Sequence, residues 1–186
     1  TTNAERIPAI VRGEADIVAH SMTITCERMG KALFTTDCLD SGERVLVPGN
    51  SGARSMDDLG GKRVCSAAGT TSIEETAKHP AGPVPVAVED RTDCLTPLRR
   101  GEAGAVSTTG NVLAGLLAQD PYTKLAGPRF TGEPHGIAVA GSSPDLIRLV
   151  NAVPERIRKD GTWAKLHKRW LGALGDEKPP PARYRD

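Results

Sequence analysis

The chain is predicted to fold as an α/β protein, an open sheet with helices on both faces. Three observations predict it. Short β-prone runs alternate with stretches of helical apolar spacing along most of the 186 residues. Glycines punctuate the ends of the helical stretches, where a left-handed cap is easy. One junction is also written twice: "VRGEADIVAH" (11–20) and "LRRGEAGAVSTTGN" (98–111) share R-G-E-A, with Gly13 and Gly101 equivalent. Each copy reads as a helix that stops at Gly and passes into a parallel-type strand, and the ends of such strands are where open α/β sheets hold ligands. Four matching residues alone are equally a favourable helix stop recurring by chance.

The elements follow in order. "AERIPAIVRG" (4–13) is a short helix that Asn3 can cap, with Ile7, Ile10 and Val11 at helical spacing and Gly13 as its stop. "ADIVAHSMTIT" is a strand running into a loop, and "ERVLVP" (43–48) is strongly β-prone. A one-turn helix, a Gly-Gly turn, a strand at 62–67 and a helix beginning after Ser72 come next. The prolines of "PVPVAVED" suit an edge strand. "DCLTPLRRG" is a helix stopped by Gly101, "AGAVST" a strand, "NVLAGLLAQD" an apolar helix and "GIAVAG" a strand. Residues 144–174 form two helices broken at Asp160-Gly161, and Pro154, lacking an N–H, is expected to kink the first. "GDEKPPPARYRD" (175–186) reads as a solvated, proline-stiffened tail.

Composition excludes several classes. Lys and Arg number 24 against 23 Asp and Glu, with no basic block, so no nucleic-acid partner is expected. No apolar run approaches the ~20 residues that span a bilayer. No signal peptide is visible, and the start at "TTNAERIPAI" reads as that of a mature or trimmed chain. The four histidines are dispersed and the four cysteines (Cys26, Cys38, Cys65, Cys94) include no C-x-x-C pair, so neither a metal nor another cofactor is expected. The cysteines fit either buried thiols or two disulfides in an exported protein, which allows three pairings.

Four motifs then come in one order: "AHSMTITCER" (19–28), "LGGKRVCSAAGTTS" (59–72), the second "RGEAGAVST", and "DGTWAKLHKRWL" (160–171). In these the chain, from residue 3 to 174, resembles the type II periplasmic amino-acid-binding proteins (extracellular solute-binding proteins of family 3). Its nearest likeness is to the glutamate- and glutamine-binding lipoproteins of actinobacteria. The resemblance implies two lobes joined by a hinge of two crossing strands at 43–48 and 136–141. The first lobe is expected to comprise 1–47 and 136–174, the second 48–135, with 175–186 as the tail. The family's opening strand-helix-strand unit, which packs aromatics on the ligand, is expected to be missing from the first lobe. A Cys65–Cys94 disulfide is also implied, because the relatives carry cysteines in the same places. Cys26 and Cys38 either pair with each other or meet a partner in that opening unit.

The site residues are likewise carried over by resemblance. Arg28 matches the arginine that holds the ligand's α-carboxylate, a role suited to a planar guanidinium fork. Thr23 and the backbone around Ser21 match positions touching the carboxylate and ammonium groups. Thr70 and Thr71 match contacts at a helix N-terminus, with Ser72 expected as the N-cap. Thr109 departs from the pattern, since the relatives have an Asp there to meet the ammonium. Losing such a partner costs about 3–5 kcal/mol, so free α-amino acids are expected to bind weakly.

The function implied is that of an extracellular or periplasmic receptor of an ABC importer, lipid-anchored in its full-length form. It would bind a small polar, amino-acid-like ligand in the interlobe cleft and hand it to a membrane permease. A degenerate sensory or scaffold domain of the same fold is the alternative. Enzymatic action would need an acid with a raised pKa beside Arg28. Glu27 and Glu133 are the candidates and neither has a supporting partner in the sequence, so no catalytic residue is expected.

Overall fold

Alternating strands and helices do form, and residues 2–185 are described in a computed structural model. In chain order the elements are α1 (Arg6–Val11), β1 (Ile17–Thr23), α2 (Cys26–Met29), β2 (Leu33–Phe34), β3 (Leu39–Ser41), β4 (Glu43–Pro48), β5 (Arg63–Ala67) and α3 (Thr71–Lys78). They continue as β6 (Val84–Val88), α4 (Leu95–Arg99), β7 (Ala105–Thr109), α5 (Gly110–Gln119), β8 (Thr123–Ala126), β9 (Glu133–Val139), α6 (Pro144–Lys159) and α7 (Thr162–Leu171). Single 3-10 turns precede β5 and α4 and follow α7. The chain divides into two units: Glu5–Ser41 with the chain from Glu133 onward, and Thr2–Ala4 with Gly42–Gly132. Both divisions fall a few residues before the expected ones. The strand at 43–48 is therefore an interior member of the second unit's sheet, and 136–139 is part of β9 in the first.

In the first unit β9 is the centre, with β1 and β2 on either side and β3 also pairing with it. All three pair antiparallel, so the strand after the first R-G-E-A is not of the parallel type expected. The core behind this sheet comprises Ile10, Val18, Met22, Ile24, Phe34, Ala138 and neighbouring alanines. Glu5, not Asn3, occupies the N-cap of α1. The α6 helix runs uninterrupted through Pro154, whose ring is buried. The tail is not simply solvated: Pro180 is buried, Arg185 pairs with buried Asp37 at 2.6 Å, and the Tyr184 hydroxyl donates to Glu155.

The second unit carries a five-stranded sheet in the order β6-β5-β7-β4-β8. Its β5 pairs parallel with β6 and β7, while β4 runs antiparallel to β7 and β8. The proline-bearing β6 lies at an edge, as its composition predicts. Strand alternation feeds two cores. Leu46 packs with Leu95, Leu98, Val106, Leu113 and Leu116, whereas Val45 and Val47 pack with Met56, Leu59 and Val64. Cys65 and Cys94 sit within the first of these cores and are bonded, with Cα atoms 5.6 Å apart. Cys26 and Cys38 are thiols. Cys26 is exposed, and burial pushes the Cys38 thiol above its usual pKa.

The repeated junction has the geometry its glycines require. Gly13 and Gly101 both adopt left-handed φ values, 72° and 70°, and both lie in open space. Backbone conformation, not crowding, therefore selects glycine there.

One acid behaves as a stability group. The buried Asp120 carboxylate accepts from Arg99 Nε at 2.7 Å and from the Tyr122 backbone, and the Arg99 bond holds its pKa below the usual aspartate range. A depressed folded-state pKa gives stability that is fully present above the unfolded value and lost as pH falls through the folded one. Asp120→Asn is thus expected to flatten the acid side of the stability–pH curve of the second unit. Urea titrations across the acidic range check this, and an unchanged acid limb refutes it.

Candidate functional site

The second unit presents its polar residues at one end of the sheet. The parallel strands β5 and β7 both finish there, and each turns directly into a helix, α3 and α5. This is the end at which open α/β sheets hold ligands. Gly69 makes the first turn possible with φ 67°, and a Cβ at that position would meet the Ala4 Cα at 2.5 Å. Thr70 is the N-cap of α3, but its buried hydroxyl turns back to the Ala67 carbonyl (2.6 Å) and does not cap the helix amides. Thr71 opens the helix, half-buried. Ser72 is not the expected N-cap. It lies inside the first turn, where its hydroxyl donates to Glu43 Oε1 at 2.8 Å and stands 3.4 Å from Thr108 Oγ1. Thr109 ends β7 and is the N-cap of α5 without a side-chain capping bond. Its hydroxyl is buried and has no hydrogen-bond partner among the described residues.

Gly69→Ala is expected to destabilise this turn by about 1–3 kcal/mol, because the left-handed φ and the close approach both oppose a side chain. Thermal unfolding measures it, and an unchanged midpoint contradicts the geometry.

In the first unit the remaining predicted residues come together on one connection. Ser21 is the only non-glycine residue with positive φ (40°) among those described, and it sits where the β1–β9 register shifts. Such a bulge re-aims the chain. Buried Arg6 holds it by donating to the carbonyls of His20 (2.8 Å) and Ser21 (3.1 Å). Thr23 is buried at the end of β1. Its carbonyl accepts from Arg28 Nη1 at 2.8 Å, which fixes the direction of the guanidinium. Thr25 caps α2 by accepting from the Arg28 N–H at 3.2 Å. Ser21, Thr23 and Arg28 thus form one local cluster, and Thr70, Thr71 and Thr109 lie at one sheet end of the other unit.

The two acids considered for catalysis are placed otherwise. Glu27 is exposed and bonded to Lys31 at 2.7 Å, which lowers its pKa instead of raising it. Glu133 is buried at the start of β9, opposite Ser41.

Sequence reading missed Glu43 and Arg6. Glu43 is fully buried and stands directly opposite Thr109 in the β4–β7 register. The signal that could have found it is the strand pairing, because the two positions are far apart in the chain.

Comparison with known proteins agrees with this architecture. The family described as bacterial extracellular solute-binding proteins, family 3, matches residues 1–173. The ABC transporter glutamine-binding protein GlnH of Bacillus subtilis is 29% identical over 171 residues, covering 91% of this chain and 63% of that protein. The glutamate-binding protein GluB of Corynebacterium efficiens is 24% identical over 180 residues, covering 92% of this chain and 61% of that one. The chain therefore spans less than two thirds of the length of these relatives. Among solved structures, an ancestral arginine-binding protein bound to glutamine superposes with a TM-score of 0.82 at 32% identity, covering 90% of this chain and 76% of that one. With a two-sheet α/β architecture of this kind and a match along nearly its whole length, the chain belongs to family 3 of the bacterial extracellular solute-binding proteins.

Proposed function

We propose that the chain is the solute-binding component of an ABC importer and that its ligand is a small, amino-acid-like carboxylate. The observation that carries this reading is Arg28. Its guanidinium is oriented by the Thr23 carbonyl, on a turn capped by Thr25, and the sequence resemblance matches it to an arginine that holds a ligand carboxylate. A planar fork held in advance loses little entropy on meeting two carboxylate oxygens. Thr23 and Ser21 supply neighbouring polar groups. Thr70, Thr71 and Thr109 contribute hydroxyls and helix N-terminal amides, which favour negative charge.

The relatives named for glutamine and glutamate support this ligand class. The receptor works by reversible binding, without covalent chemistry, outside the cytoplasm. It passes its solute to a membrane permease and is held at the membrane by a lipid anchor in its full-length form. No helix among the described residues is long and apolar enough to cross a membrane.

Thermal-shift screening of the chain against amino acids and small polyols tests the proposal. A stabilising amino acid or other small carboxylate that is recovered unchanged is the expected result. Stabilisation by none of them favours a sensory or scaffold role, and turnover of a hit indicates an enzyme.

A further inference from the structure

We infer that Glu43 supplies the negative charge for a ligand's ammonium group in place of the acid absent from position 109, so that the chain selects α-amino acids over their 2-hydroxy counterparts. This rests on the receptor reading above.

Three features of the second unit point to it. The first is register. Glu43 and Thr109 are directly opposed across the antiparallel β4–β7 pair. Opposed residues project to the same face with Cβ atoms about 4.5–5.5 Å apart. A glutamate reaching over from the next strand can therefore bring its carboxylate to the space that an aspartate at position 109 would serve. The second is orientation. Ser72, on the first turn of α3, donates to Glu43 Oε1 at 2.8 Å, which directs the carboxylate to the sheet end where β5 and β7 finish. The third is Thr109 itself. Its hydroxyl is buried without a partner, beside an acid that is also buried. An unsatisfied hydroxyl at a buried position is a cost of about 1–3 kcal/mol unless something arrives to meet it. An ammonium on Glu43 leaves that hydroxyl within reach of the same ligand as an acceptor.

The same contacts could serve merely to tie β4 to α3, and the two roles differ in what they predict. Calorimetry is performed on the chain with L-glutamine, L-glutamate, L-arginine and L-cystine, and with the 2-hydroxy acid counterpart of the tightest binder. The native chain should favour the amino acid by about 100-fold or more. Glu43→Gln, which keeps the side-chain shape, should remove that preference by weakening the amino acid and leaving the hydroxy acid nearly unchanged. Adding Thr109→Asp to Glu43→Gln should restore the preference. A Glu43→Gln protein that melts earlier yet keeps its selectivity overturns the inference and leaves Glu43 a structural tie. So does a native chain that binds the hydroxy acid as tightly as the amino acid. Arg28→Ala separates this failure from that of the underlying reading. If Arg28→Ala leaves binding of both ligand classes intact, or if no probe binds the native chain, the receptor reading falls and this inference with it.

Discussion

Replacing Arg28 with Ala is expected to abolish measurable binding of a carboxylate ligand while leaving the fold intact. Removing one member of a hydrogen-bonded charge pair costs about 2–5 kcal/mol, which is roughly 30-fold to several thousand-fold in affinity. The fold should survive because the side chain is only half-buried, on the four-residue helix α2, which contributes no buried residue to a core. Arg28→Lys keeps the charge but loses the two-pronged geometry, so it should recover only a minor part of the affinity. Calorimetry on the three proteins, with circular dichroism to verify folding, makes the comparison. A lysine variant as tight as the native chain would mean that charge alone acts at this position.

The second large effect concerns stability. Reducing Cys65–Cys94, or replacing both cysteines with Ala, is expected to cost the second unit about 3.5 kcal/mol in the chain-entropy model, for a sequence separation of 29. The Ala replacement should cost more than reduction, since both sulfurs sit in a core with Leu46, Leu95, Leu98 and Val106, and only their removal leaves space unfilled. At about 4–8 °C per kcal/mol for a unit of this size, the melting point should fall by about 14–28 °C on reduction. Cys26→Ser is the control. It is an exposed thiol, so its loss should leave the midpoint in place. Calorimetric melting with and without reductant makes the measurement, and a midpoint insensitive to reductant contradicts it.

Much of this fold is legible before any coordinates. Strongly patterned stretches such as "ERVLVP" and "NVLAGLLAQD" become β4 and α5, and the glycines at 13 and 101 take the left-handed conformations that their position after a helix implies. The strands that go unread are β2, β3 and β8, which have two to four residues each and too few side chains for alternation to show. Strand direction is also illegible. The two R-G-E-A copies look alike locally, but β1 meets an antiparallel neighbour and β7 has parallel β5 on one side, because direction depends on which distant strand arrives alongside. The same limit hides Glu43. Thr109 reads as an unanswered loss of charge when the chain is scanned residue by residue. The pairing of β4 with β7 sets a carboxylate opposite it. Ser72 fails as an N-cap for a similar reason. Its hydroxyl has a stronger partner in Glu43, and the cap falls to Thr70.

The most direct test of the receptor account is a map of backbone amide resonances as L-glutamine, L-glutamate, L-arginine and L-cystine are titrated in turn into the chain of 19.6 kDa. At least one of them should shift the amides of Ser21, Thr23 and Arg28 together with those of Thr70, Thr71 and Thr109. These shifts should share one saturation curve and leave unperturbed the groove lined by Asn50, Leu98, Gln119 and Tyr122, which lies at the ends of β4 and α5 away from Glu43 and Thr109. Saturable shifts confined to that groove, or no saturable shift with any of the four, would contradict it.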